Sequence, residues 1–180
     1  MVFSAMSNDY YPSLTAIISK QESFISLVND QIETAVLLVT PAIMFLYITD
    51  TYVIKILYSN EFLPVIQILK IALFSIILKA VVWPLGFIAL AKGNNKEYFK
   101  QNVFSDLLNI ILTITFFTFF GLQGIGMATV LTTLFFLIYL LFFVKREYAF
   151  EFKRNVKQGI FLSLIIGIIA LFTKVFIPNS

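Results

Sequence analysis

Five long apolar runs account for most of this chain, and they leave few architectures open to it. They cover residues 32–57, 65–90, 103–120, 124–144 and 159–176. A spanning helix needs about 17–25 predominantly apolar residues to cross the hydrocarbon core of a bilayer, and every run meets that length. Inside lipid the backbone must satisfy its own hydrogen bonds, so each run is expected to be a helix. Composition agrees: 59% of the 180 residues are hydrophobic and only 13% are charged. A soluble domain carries about 25% charged residues, so these charges are too few to cover a water-facing surface. The expected fold class is an all-α membrane protein, a bundle of about five transmembrane helices preceded by an amphipathic interfacial helix. The expected domains are a cytoplasmic or interfacial segment over 1–31 and the bundle over 32–180.

The amphipathic element is read from Ser13 to Gln31. Leu14, Ile17, Ile18, Ile25, Val28 and Ile32 recur at helical spacing, with Ser19, Lys20, Gln21, Glu22, Asn29 and Asp30 between them. One apolar stripe of this kind lies on a membrane interface or packs as a connector on the bundle. Pro12 and Ser13 suit its start. Between spans, Tyr58-Ser59-Asn60-Glu61 breaks the first pair and Pro64 suits a new helix start. Lys92-Gly93-Asn94-Asn95-Lys96 is a polar turn, and Gly121-Leu122-Gln123-Gly124 is a very tight one. Such short links imply antiparallel neighbours.

Lysine and arginine set the orientation. Lys92, Lys96 and Lys100 fall in one loop, and Lys145, Arg146, Lys153, Arg154 and Lys157 follow the fourth span. Both segments lie on one side of a five-span chain, which is therefore expected to be cytoplasmic. The amino-terminal segment is then cytoplasmic and Ser180 external. Membrane lipids are the expected neighbours of the spans. The basic tract from Lys145 to Lys157 is explained by topology and anionic lipid, not by nucleic acid.

Charges within the spans carry the functional signal. Lys79 falls near the middle of the second span, where a basic residue costs about 2.5–3.5 kcal/mol on insertion scales. It is expected to face a cavity and attract an anionic substrate, or to pair with a carboxylate inside the bundle. Lys70 lies on the same helix about half a revolution out of phase, at a depth similar to Asp50, and an Asp50–Lys70 ion pair accounts for both. Pro41 and Pro84 are expected to bend the first and second spans. Gly86, Gly124 and Gly126 are expected to permit close helix approach. Asp106, with Gln101 and Asn102, reads as an interfacial charge, a counter-ion for Lys92 or Lys145, or part of a gate. Thr113, Thr115, Thr118, Thr132 and Thr133 are expected to bond back to their own helices.

The chain contains no Cys and no His, which removes disulfides, thiolate chemistry and the commonest general base and metal ligand. It has no Walker loop, dinucleotide fingerprint or nucleophile elbow. No enzyme activity, metal or cofactor is expected.

Several stretches resemble one transporter superfamily. Asp9-Tyr-Tyr-Pro-Ser-Leu-Thr15, Pro41, Ile56-Leu-Tyr-Ser-Asn-Glu-Phe62, Leu90-Ala-Lys-Gly-Asn-Asn95 and Gly121-Leu-Gln-Gly-Ile-Gly-Met-Ala128 are similar, in order and spacing, to the carboxy-terminal half of polysaccharide flippases. These belong to the multidrug/oligosaccharidyl-lipid/polysaccharide exporter superfamily, and the likeness is to Wzx-type O-antigen translocases. The resemblance implies two six-helix lobes around a cationic cavity. It also implies an undecaprenyl-pyrophosphate-linked oligosaccharide as cargo, moved across the bacterial cytoplasmic membrane for O-antigen or polysaccharide biosynthesis. This chain would be part of such a transporter, with the missing lobe and polysaccharide assembly proteins as partners. Its departure from the family is length. The alternatives are a multidrug exporter of the same superfamily, which usually calls for acidic cavity residues, and a non-transporting membrane subunit or remnant.

Overall fold

The computed structural model describes residues 2–17, 19–57 and 65–176. Among the described residues six helices follow one another: α1 (Val2–Ala16), α2 (Gln21–Leu57), α3 (Val65–Ala91), α4 (Asn95–Phe120), α5 (Leu122–Tyr148) and α6 (Arg154–Phe176). No strand occurs among the described residues. Helices α2 to α6 each contain a stretch long and apolar enough to cross a bilayer, in agreement with the five apolar runs.

The links between helices are set by local chemistry. Helix α3 ends in a Schellman motif: Gly93 adopts φ 72°, Asn94 N–H donates to Ala89 O and Gly93 N–H to Leu90 O. A positive φ of this kind costs glycine nothing. Asn94 then caps α4, its side-chain oxygen accepting from Glu97 N–H at 3.1 Å, as N-cap residues do. One residue, Gly121 at φ 59°, separates α4 from α5. A Cβ at Gly124 would lie 2.0 Å from Phe116 O, so only glycine lets α5 fold back this tightly. The turn over 58–64 and the start signal at Pro64 lie outside the described residues.

Helix α3 is the hub, packing on α5, α2, α6, α4 and α1. Lipid tails are as apolar as leucine, so packing of small residues, not expulsion of water, brings spans together. Ala80 and Ala128 are fully buried. A Cβ at Gly126 would meet Ile71 Cβ at 2.9 Å, and one at Gly167 would meet Ile77 Cδ1 at 2.6 Å. These two glycines seat α5 and α6 against α3. Large apolar side chains such as Phe45, Ile48, Ile114, Phe142 and Ile168 are more than half exposed. They form the lipid-facing belt expected of a multi-pass protein.

The amphipathic segment is present but divided differently from its sequence reading. Its stripe runs through the end of α1 and the start of α2. Leu14, Phe24, Val28 and Ile32 are fully buried in the main core, while Ser13, Lys20, Gln21, Glu22 and Asp30 are exposed. The segment therefore packs on the bundle, and its second half continues into the first span as one 37-residue helix. Pro12 lies inside α1, not at a helix start. Tyr10 and Leu14, both buried, hold α1 to the bundle on either side of it, so packing outweighs the lost hydrogen bond.

The third span also begins earlier than its apolar run. Helix α4 starts at Asn95, eight residues before Val103. Hydropathy registers only the part in hydrocarbon, whereas the Asn94 cap fixes the helix start.

Candidate functional site

Three helix faces converge on one groove. Helix α3 contributes Lys79, Val82, Trp83, Gly86 and Phe87. Helix α4 contributes Tyr98, Gln101, Asn102, Ser105, Asp106 and Asn109. Helix α5 contributes Thr129, Thr132, Thr133 and Phe136. Each set follows the i, i+3, i+4, i+7 spacing of a single helical stripe. The groove opens because α4 leans mainly on α5 and touches α3 much less. It encloses about 540 Å³, within the roughly 300–1,000 Å³ of small-molecule sites.

Lys79 is exposed in this groove. It stands twelve residues before Ala91, the carboxy-terminal end of α3, or about 18 Å along the axis at 1.5 Å per residue. No ion pair among the described residues includes it. Asp106 lines the same groove. It stands eleven residues beyond Asn95, about 16 Å along the α4 axis, and three residues after Val103, where the apolar run begins. The groove thus carries both signs at similar depth, and no ion pair among the described residues joins them. Lys92, a counter-ion considered for Asp106, lies over the Phe24 ring at 4.3 Å.

The remaining sequence-derived residues divide. The side chain of Asp50 lies outside the described residues, and with it the Asp50–Lys70 ion pair. The main chain of Lys70 has a clear role: Tyr47 donates to Lys70 O at 2.7 Å, fixing the register of α2 on α3. Pro41 and Pro84 both lie within continuous helices. Tyr10 donates to Pro84 O at 3.0 Å and packs beside Trp83 and Phe87, so α1 braces the wall that carries the groove. Burial pushes the Tyr10 phenol far above its ordinary range, and it remains a donor. Gly86 departs from its expected packing role. No atom lies within 4 Å of a Cβ built there, so it widens the groove, whereas Gly124 and Gly126 pack closely.

The polar lining was only partly recognised from sequence. Thr133 bonds back to Thr129 O, as expected, and Thr129 to Ile125 O, but Thr132 Oγ1 has no partner among the described residues. The signal was available: Tyr98, Gln101, Asn102, Ser105, Asp106 and Asn109 repeat at helical spacing on an otherwise apolar span. Among the described residues, no three His, Cys, Asp or Glu side chains gather to hold a metal.

A polar groove cut into the wall of an apolar bundle, with a lysine at mid-depth, is the form expected of a membrane transporter. The family model for the lipid II flippase MurJ matches residues 4–179. The chain belongs to the MurJ lipid II flippase family. Neither a curated protein nor a solved structure matches it. The MurJ match supports the superfamily to which the sequence motifs pointed. It gives no support to the O-antigen type within that superfamily, and the headgroup implied by the MurJ family is a peptidoglycan precursor.

Proposed function

We propose that this chain forms part of a flippase for undecaprenyl-pyrophosphate-linked oligosaccharide in the bacterial cytoplasmic membrane. In this reading the α3–α4–α5 groove takes the headgroup, and the polyprenyl chain stays in lipid. The observation that carries it is Lys79, a lysine at mid-depth that opens into a polar groove and joins no ion pair among the described residues. A charge this deep is costly unless a cavity or a partner stabilises it, and a pyrophosphate supplies the partner on arrival. The family match favours a lipid II-type disaccharide over an O-antigen unit. The chain acts by translocation, with no bond made or broken. The basic loops around Lys96 and Lys153 face the cytoplasm, as does the amino terminus. Pro41 and Pro84 are the points at which α2 and α3 bend as access changes. A second lobe closes the cavity.

The test is binding of undecaprenyl pyrophosphate bearing a disaccharide to the chain in nanodiscs. Lys79→Ala should weaken binding about 10-fold, equivalent to about 1.4 kcal/mol, and Lys79→Arg should retain most of it. Equal affinity in wild type and Lys79→Ala would rule out the pyrophosphate role.

Asp106 favours a second reading, a multidrug exporter, since an acid lining the groove suits a cationic substrate. That reading requires Asp106→Asn to abolish binding of a lipophilic cationic dye while Lys79→Ala spares it.

A further inference from the structure

The one buried residue of α4 is a glutamine. Gln101 is 1% exposed, and both its amide nitrogen and its amide oxygen lack a hydrogen-bond partner among the described residues. Buried amides are normally satisfied, and a native side chain with both ends orphaned calls for a reason. Its place in the groove supplies one. Gln101 stands six residues beyond Asn95, about 9 Å in from the inner end of α4. That is about half the depth of Lys79, on the side of the basic loops. Around this inner half, α3 presents Trp83, Phe87 and Gly86, and α4 presents Asn102. Trp83 and Phe87 rings lie 5.4 Å apart at 71°, forming an apolar wall. The absent side chain at Gly86 leaves open space beside it.

A sugar ring has an apolar face of C–H groups and an edge of hydroxyl or acetamido groups that both donate and accept. An aromatic wall facing amide side chains matches both surfaces. The amide of Gln101 also offers a donor and an acceptor together. We propose that Gln101, with Asn102 and the Trp83–Phe87 wall, is a neutral saccharide subsite in the inner half of the groove. The amide turns from its buried, unpartnered pose into the groove to bond the sugar edge of the cargo. Glutamine has the side-chain freedom to make this turn, and the orphaned pose gives it no competing partner to break. A site built to hydrogen-bond a substrate group discriminates strongly against a substrate that lacks it. Gln101 is then a specificity-determining residue for the glycan, separate from the charge that holds the pyrophosphate. The inference rests on the flippase reading above.

The experiment measures binding to the full chain in nanodiscs with two probes: undecaprenyl pyrophosphate carrying a disaccharide, and undecaprenyl pyrophosphate alone. Gln101→Leu should weaken the glycosylated probe about 10-fold or more and shift the sugar-free probe by less than about 2-fold. Lys79→Ala should weaken both. The melting temperature of Gln101→Leu should equal or exceed that of the parent, because the substitution removes two unsatisfied buried groups. Equal effects of Gln101→Leu on the two probes, or none on either, overturn the subsite while leaving the Lys79 reading intact. A marked drop in melting temperature also overturns it, since the amide would then be serving the fold through a buried water or an unseen bond. If Lys79→Ala has no effect while Gln101→Leu is selective, the pyrophosphate assignment fails and the subsite stands. Failure of the wild-type chain to bind either probe overturns both.

Discussion

Glycines in this chain look alike in sequence but have opposite consequences in structure. A Cβ at Gly124 would sit 2.0 Å from a backbone oxygen in the facing turn, and backbone cannot move aside as a side-chain tip can. Gly124→Ala should destabilise the chain by about 2–3 kcal/mol, as overpacking does, seen as a lower melting temperature in detergent. A Cβ at Gly86 would meet nothing within 4 Å. Gly86→Ala should leave stability within about 0.5 kcal/mol of wild type yet reduce cargo binding by narrowing the groove. If Gly86→Ala melts as low as Gly124→Ala, the open groove beside α3 is wrong. Sequence alone placed both residues in one packing class, because close approach depends on what stands opposite. Lys79 was legible for the reverse reason: a charge within an apolar run is conspicuous whatever surrounds it. Gln101 is inconspicuous in sequence, since a polar residue near a span end is ordinary until its burial is known.

Among the helices, the apolar runs foretold five spans, and their ends at Leu57, Phe120 and Phe176 coincide with those of α2, α4 and α6. What hydropathy did not show was the polar extension of helices such as α2 and α4 beyond their apolar runs, because polar turns outside lipid are fixed by caps and partners. The start of α2 illustrates this. Asn29, fully buried, donates to Glu151 O at 3.0 Å and accepts from Lys153 N–H at 2.8 Å. Lys153 Nζ reaches Asp30 at 2.7 Å, and Asn155 donates to Glu33. This clamp ties the α5–α6 link to α2 across more than a hundred residues, a pairing with no local signature in the sequence. The exposed Lys153–Asp30 pair contributes at most about 1 kcal/mol, so the buried amide dominates. Asn29→Ala should cost about 2–3 kcal/mol by orphaning two backbone groups, and should raise hydrogen exchange over 149–153. Unchanged exchange there would show that the link is held by other contacts, among them the buried Phe150.

For the whole molecule, the charge distribution predicts the orientation, with the basic loops on the cytoplasmic side. The chain has no native cysteine, so single cysteines report topology directly. A cysteine at Lys96 should react with a membrane-impermeant maleimide only from the cytoplasmic side, and one at Gln123 only from outside. The opposite pattern would invert the bundle and place the mouth near Gln101 on the wrong face for loading. The lipid-facing belt and the fold class were legible in the sequence because composition alone demands them. The groove was not, because it arises where three stripes on three helices meet, and no single stripe announces the other two. The central claim is that the lysine at mid-depth carries the cargo's charge through the membrane. Its most direct test is transport of undecaprenyl-pyrophosphate-linked disaccharide in proteoliposomes by this protein, with residue 79 varied. Lys79→Ala is expected to slow transport at least about 10-fold at equal expression and melting temperature, and Lys79→Arg to restore most of it, as a lost interaction with an anion requires. Transport at the wild-type rate by a stably folded Lys79→Ala protein would contradict the account.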